Sequence, residues 1–347
     1  MKVDTESETI DIGELDAEAW NELAIAQGWS DGMPLGLPTE AAVAKFVAVA
    51  RGDNQPFPPI SPRTVIPTLQ SLAANAVMAG CKPAYFPAVL AALRGVLDPE
   101  YNLHGTLATT HPCAPMLLVN GPIRKALEIN CGGNCFGQGW RANATIGRAL
   151  ELILLNVGGA KPQIMDRSTQ GSPAKYSFCF GENEEESPWA PYHVRRGFKP
   201  GDNVMTVMSG EPPHNINDHA SNTGEGVLTT IASTISQPGS NLIYRKGPLF
   251  LILGPEHAQT LARDGATIES MQQQVFERSR VPVARVSKEN QASYASFDNH
   301  PVNGHYYLVP KPEDIHIVVA GGAGKHSAFV ASFGGTAAIS TRIADAA

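Results

Sequence analysis

Long hydrophobic runs are missing from this chain. Its apolar stretches, such as Leu249-Phe250-Leu251-Ile252-Leu253, fall far short of the roughly 20 residues a membrane helix needs, so no membrane partner is expected. Residues 1–22 lack the basic start and apolar centre of a signal peptide. A Lys/Arg-rich stripe is also missing, and the net charge is −7, which argues against nucleic acid as a partner. Charged residues make up only 17% of the 347, below the roughly 25% of an average soluble protein. Cysteine is scarce and odd in number at 5. No disulfide framework is expected, and a reducing cytoplasm is the expected location. Neither G-x-G-x-x-G nor a P-loop occurs, so nothing announces a nucleotide or a dinucleotide cofactor.

Turn-forming residues are plentiful: 33 glycines and 27 prolines, above averages of about 7% and 5%. The length allows two domains or one large α/β unit. We read residues 1–60 as a helical arm with a Pro-rich linker. It holds a helix over 16–27, the turn Gly28-Trp29-Ser30-Asp31-Gly32-Met33-Pro34, and a second helix that Thr39 caps and Glu40 favours. Residues 55–62 carry four prolines and predict extended linker. Residues 61–200 and 201–347 each read as an α/β lobe.

Three times an apolar strand runs into a Gly-containing turn and then a helix. Strand 116–119 meets Asn120-Gly121-Pro122 and strand 249–253 meets Gly254-Pro255. Strand 315–319 meets Gly321-Gly322-Ala323-Gly324, with a helix expected from Lys325. The expected fold is therefore α/β: pseudo-repeated strand–Gly turn–helix units in mixed sheets, arranged as two lobes. Each turn aims helix N–H groups at one sheet edge, where an anion can bind.

Two stretches carry the chemistry. In the first, Tyr176, Phe178 and Phe180 alternate as a strand does, which places Ser177 and Cys179 on the other face. Glu182, Glu184, Glu185, His193 and Arg195 follow closely. Crowded carboxylates beside Arg and His can hold one carboxyl protonated and another ionised, as acid–base work requires. The competing reading is a solvated charged loop. The second stretch, residues 130–145, puts four glycines, Gly132 and Gly133 among them, ahead of Arg141 and Asn143 at a helix start. Such a loop can wrap a carboxylate or phosphate; it can also serve close packing alone. Asn120, His257 and His326 stand at the other Gly turns as substrate-binding candidates.

The sequence thus predicts an enzyme, of lyase or hydrolase type, for a small anionic substrate of carboxylate type. Cys179, Glu182, Glu184, Glu185 and His193 are its candidate catalytic groups. Asn120, Gly132, Gly133, Arg141, Asn143, Arg195, His257 and His326 would bind the substrate. No cofactor is predicted. The alternative is a metal- or iron–sulfur-dependent dehydratase using Cys113, Cys131, Cys135 and His111, although their spacing matches no common cluster run. A homo-oligomer is expected.

Longer motifs carry a resemblance. Gly28 to Pro34 with Pro38-Thr39-Glu40, Asn75-Ala76-Val77-Met78-Ala79-Gly80-Cys81, Thr109-Thr110-His111-Pro112 and Val119-Asn120-Gly121-Pro122 resemble the UGSC-type (seleno)protein-associated family. So do Arg141-Ala142-Asn143-Ala144-Thr145-Ile146-Gly147-Arg148-Ala149, the stretch from Phe178-Cys179 to Trp189, and Gly254-Pro255-Glu256-His257-Ala258. No U/C-Gly-Ser-Cys motif occurs in this chain. The resemblance therefore implies a large chain with a small redox-type companion subunit carrying the thiol or selenol, and a third reading in which this chain only positions that partner.

Overall fold

The computed structural model describes Gly13, residues 15–50 and residues 55–344; the remainder of the expected arm, residues 1–12, 14 and 51–54, lies outside the described residues. Among these are ten strands: β1 (Ala114–Asn120), β2 (Cys179–Gly181), β3 (Val204–Gly210), β4 (His214–Asn217), β5 (Leu249–Leu253), β6 (Val281–Pro282), β7 (His305–Tyr306), β8 (Ile315–Val319), β9 (His326–Ala331) and β10 (Ile339–Arg342). They form two four-stranded mixed sheets, ordered β10-β3-β1-β2 and β4-β9-β5-β8, and a small β6-β7 pair. The α/β class expected from the sequence is what the chain adopts.

Both sheets are wired alike. In one, β1 runs parallel to β2 and antiparallel to β3. In the other, β5 runs parallel to β8 and antiparallel to β9. The fourth strand of each comes from across the molecule: β4 follows β3 in the chain but pairs with β9, and β10 follows β9 but pairs with β3. A bridge between Gly210 and Ser332 marks the crossing. Strands β3 and β10 lie beyond residue 200 yet complete the sheet of β1, so a boundary at 200/201 does not separate the sheets.

Alternation along the strands makes four layers. Met116, Leu118, Phe180 and Met208 face Phe250, Ile252, Val318 and Val330 in an apolar seam between the sheets. Their neighbours Leu117, Val119, Met205 and Val207 pack outward on helices Leu69–Met78, Phe86–Val96 and Arg141–Ile153. Leu249, Leu251, Ile317 and Phe329 do the same on helices Gly224–Ile235, Pro255–Arg263 and Ile268–Arg278. Covered on both faces, β1 and β5 read as unbroken apolar runs. Among the described residues no single helix is long and apolar enough to cross a membrane; Phe86–Val96 is apolar because it is a buried layer of this core.

Local rules place most elements. Thr39 caps helix Glu40–Val49 by accepting from the Ala42 N–H, and Thr68 with Ser71 forms a capping box on Leu69–Met78. The described part of the arm is docked: Trp20, Phe46 and Phe57 are core residues. Gly121 and Gly254 close the turns after β1 and β5. A Cβ there would meet the carbonyl oxygen of Asp202 at 2.2 Å or of His326 at 2.1 Å. Two local expectations also fail: β2 spans only Cys179–Gly181, so Tyr176, which closes the short helix Pro173–Lys175, is not in a strand. Lys325 begins no helix, because His326–Ala331 is β9, paired on both sides by β4 and β5.

Candidate functional site

The carboxyl ends of β1, β2, β5 and β8 share one edge of the molecule. Glu182 N–H donates to Val119 O (3.1 Å), Asn183 N–H to Val319 O (2.7 Å) and Gly321 N–H to Cys131 O (2.9 Å). The Gly-rich loop and the Glu-rich segment therefore meet, and Arg124 is the hub. Its buried guanidinium pairs with Glu184 at 2.8 Å and Glu185 at 3.2 Å and donates to Glu182 O at 2.6 Å. Lys125 adds a 2.8 Å contact to Glu185. Hydrogen bonds from Arg124 hold the Glu185 carboxyl down at about 2, against the opposing effect of burial. Glu184 also accepts from Gly121 N–H at 2.8 Å and Asn120 Nδ2 at 3.0 Å. Glu184 and Glu185 are thus clamps that tie the segment to the β1 turn.

Glu182 and His193 differ from these. Both are wholly buried. Glu182 Oε2 accepts from Tyr192 N–H at 2.7 Å and from Asn120 Nδ2. Burial pushes its carboxyl up to about 7, against the pull of Arg195 and these two donors. Glu182 Oε1, Asn120 Oδ1 and both ring nitrogens of His193 have no hydrogen-bond partner.

The other sequence candidates are committed elsewhere, and each is a correction. Cys179 lies on the helix-facing side of β2 in the core. Burial pushes its thiol up to about 12, which removes it as a nucleophile. Asn143 caps nothing: its side chain accepts from Asn130 N–H (2.8 Å) and donates to Asn130 O (3.0 Å) and Cys135 O (3.3 Å), clamping the Gly-rich loop. Arg141 is spent on Gly80 O at 2.9 Å and Cys81 O at 3.4 Å. Gly132 N–H is taken by Asn130 Oδ1 (2.9 Å), and Gly133 packs on Gly322. Arg195 donates to Ile317 O and Ala190 O. His257 is buried between Ser327 Oγ (2.8 Å) and Asp218 O (3.1 Å). His326 is exposed, against His219 and Asn215. The expected anion anchor is therefore a set of structural hydrogen bonds.

The metal alternative also separates in space. Cys113 precedes the first residue of β1, while Cys131 packs by Gly181 at the far end of the sheet, about 20 Å away at the rise of a strand. Burial pushes Cys135 up to about 12. His111 contacts Glu211 at 2.8 Å. Among the described residues no group of three or more His, Cys, Asp or Glu is placed to hold a metal ion.

A cavity of about 730 Å³ lies at the opposite end of β1, between helix Arg141–Ile153, the Asp31 turn and the loop 160–176. Glu151 projects onto its wall. Burial pushes the Glu151 carboxyl up to about 8; Lys175 opposes this, and the charges of Asp166 and Asp31 add to it. Its Oε1 is sealed from solvent without a partner, as is Oγ1 of Thr106 on the same wall. Directly after the helix comes one π-helical turn, Leu154–Gly158, and Leu154 and Leu155 from it line the cavity. Such turns are frequent at functional sites. The volume falls in the range of small-molecule pockets, about 300–1,000 Å³. The sequence did carry a signal for Glu151: it is the lone carboxylate in the run Leu150-Glu151-Leu152-Ile153-Leu154-Leu155, and a charge in an apolar helix demands a reason.

Comparison with family models, with curated proteins and with solved structures returned no match for this chain.

Proposed function

We propose that this chain is an enzyme that transforms a small organic molecule by acid–base chemistry, of lyase or hydrolase type, in the cavity under helix Arg141–Ile153. The carrying observation is the Glu151 carboxyl, raised to about 8 and unpartnered at Oε1, on the wall of a cavity of about 730 Å³. At neutral pH such a group is about nine-tenths protonated. It is then a general acid close to its working pH, a role that contributes roughly 10²–10⁴-fold to rate. The Glu-rich segment supports this chemistry less well, because Glu184 and Glu185 are paired with Arg124 and Lys125 and Cys179 is buried.

The test is a turnover screen of small carbonyl and hydroxyl compounds against wild type and Glu151→Gln. Activity is expected to fall as pH rises through about 8, because the acid form is lost there, and to drop by roughly 10²-fold or more in the variant. Undiminished turnover by a folded Glu151→Gln protein would sink the reading. The strand edge carries a second reading through Glu182, Asn120 and His193, whose buried side-chain atoms include Oε1, Oδ1 and both ring nitrogens without a hydrogen bond. Loss of turnover in folded Glu182→Gln but not in Glu151→Gln would move the acid–base centre there.

A further inference from the structure

Four side chains on the wall of the Glu151 cavity carry ionisable charge: Asp31, Glu151, Asp166 and Lys175. Three of them are matched. Asp31 takes a two-pronged bond from Arg148, at 2.7 and 2.8 Å. Asp166 pairs with Lys175 at 2.7 Å and accepts from Ser168 N–H at 3.0 Å. The fourth, Glu151, is pushed by burial and by these neighbouring carboxylates toward its neutral form. The thiol of Cys113 also lies on the wall, and the phenol of Tyr101 lies within range of both Cys113 and Glu151, held protonated by burial.

This balance bears on what can occupy the space. A carboxylate or phosphate would find its only wall cation, Lys175, already engaged by Asp166, and would lie near the charge of Asp31 as well. Removing an ion from water without an opposite charge to receive it is strongly unfavourable. Glu151, which is partly accessible on this wall, and Thr106 each carry a buried oxygen without a hydrogen-bond partner, Oε1 and Oγ1. One is a carboxylic acid in its neutral form and the other a hydroxyl, so both can donate. Leu107, Leu154 and Pro115 supply apolar wall beside them.

We infer that the occupant of this cavity is an uncharged organic molecule bearing a carbonyl-type oxygen, an amide, ketone or ester, which accepts hydrogen bonds from the Glu151 carboxyl and the Thr106 hydroxyl. The inference rests on the cavity reading above and replaces the carboxylate substrate expected from the sequence. A carbonyl oxygen supplies the acceptor that both donors lack, and it brings no charge that needs a free cation.

Matched probes test it. Binding of benzamide and cyclohexanone, and of their charged counterparts benzoate and cyclohexanecarboxylate, is measured by titration calorimetry and ligand-observed NMR on the full chain. Near neutral pH the uncharged members are expected to bind about tenfold more tightly than the carboxylates. Their binding weakens about tenfold as pH rises one unit above the Glu151 midpoint, because the donor becomes an acceptor. Glu151→Gln keeps an N–H donor, so it retains binding and loses that pH dependence. Thr106→Val weakens binding at every pH and, being nearly isosteric, guards against misfolding of a Glu151 variant. Carboxylates binding as tightly as the uncharged probes would overturn the substrate class. If Glu151→Leu then abolishes carboxylate binding, the acid–base cavity survives with a different substrate. Binding by neither class, or binding that ignores both Glu151→Leu and Thr106→Val, overturns the inference and the cavity reading together.

Discussion

Glu182 shows how burial becomes a pH-dependent stability. Its carboxyl is raised from 4.5 to about 7, so between those values the folded chain holds a proton that the unfolded chain has released. The stabilisation is fully present below about 4.5 and is lost as pH climbs through about 7. Glu182→Gln, which preserves an acceptor for Tyr192 N–H, should therefore gain on wild type with rising pH. The expected relative gain is at most about 3 kcal/mol, read as the difference in urea midpoints at pH 4.5 and pH 8 converted through m. A gap that stays constant with pH would refute this account. Arg124 presents the opposite case. Arg124→Met leaves the largely buried Glu184 without a cation at the β1 turn, while Glu185 keeps Lys125, and about 3–5 kcal/mol of stability should be lost. Chemical denaturation measures this directly; a loss under 1 kcal/mol would mean the clamp is solvated.

At the scale of elements, the turns after β1 and β5 depend on two glycines for the same reason. In each, a neighbouring carbonyl oxygen occupies the space a Cβ would need. Gly121→Ala and Gly254→Ala should each lower stability by about 2 kcal/mol or more. Gly201→Ala, where a Cβ meets nothing within 4 Å, should stay within about 0.5 kcal/mol. Thermal melts of the three variants decide it, and equal losses at all three would remove the steric argument. The Gly-rich loop is held differently, by the three bonds of the Asn143 side chain. Asn143→Ala should expose the amides of residues 130–137 to hydrogen exchange while those of β1 stay protected.

The whole molecule is tied together by exchanged strands. Because β4 and β10 each complete the sheet of the other half, neither half closes its sheet alone, and an apolar seam joins the two sheets along their inner faces. Unfolding should be a single calorimetric transition, in which the van 't Hoff and calorimetric enthalpies agree. Two resolved transitions would show that the sheets are independent after all.

What could be read without coordinates was local. Capping at Thr39, the apolar runs of β1, β5 and β8, and the Gly turns at residues 121 and 254 follow from short-range sterics and burial, which neighbouring residues specify. The failures share one cause. By analogy with two other turns Lys325 reads as a helix start, but β4 arrives from the opposite half and pairs the following segment into a sheet. Arg141, Asn143 and His257 have the chemistry of ligand-binding residues, yet carbonyls and hydroxyls distant in sequence take up their hydrogen bonds. Glu151 lies inside an apolar helix, and only the packing of that helix against the Asp31 turn and the loop 160–176 leaves a cavity beside it. Backbone preference is settled over a few residues. Whether a polar side chain is satisfied or left open to a ligand depends on which remote groups the tertiary fold brings within about 3 Å, and that is a property of the packed chain alone.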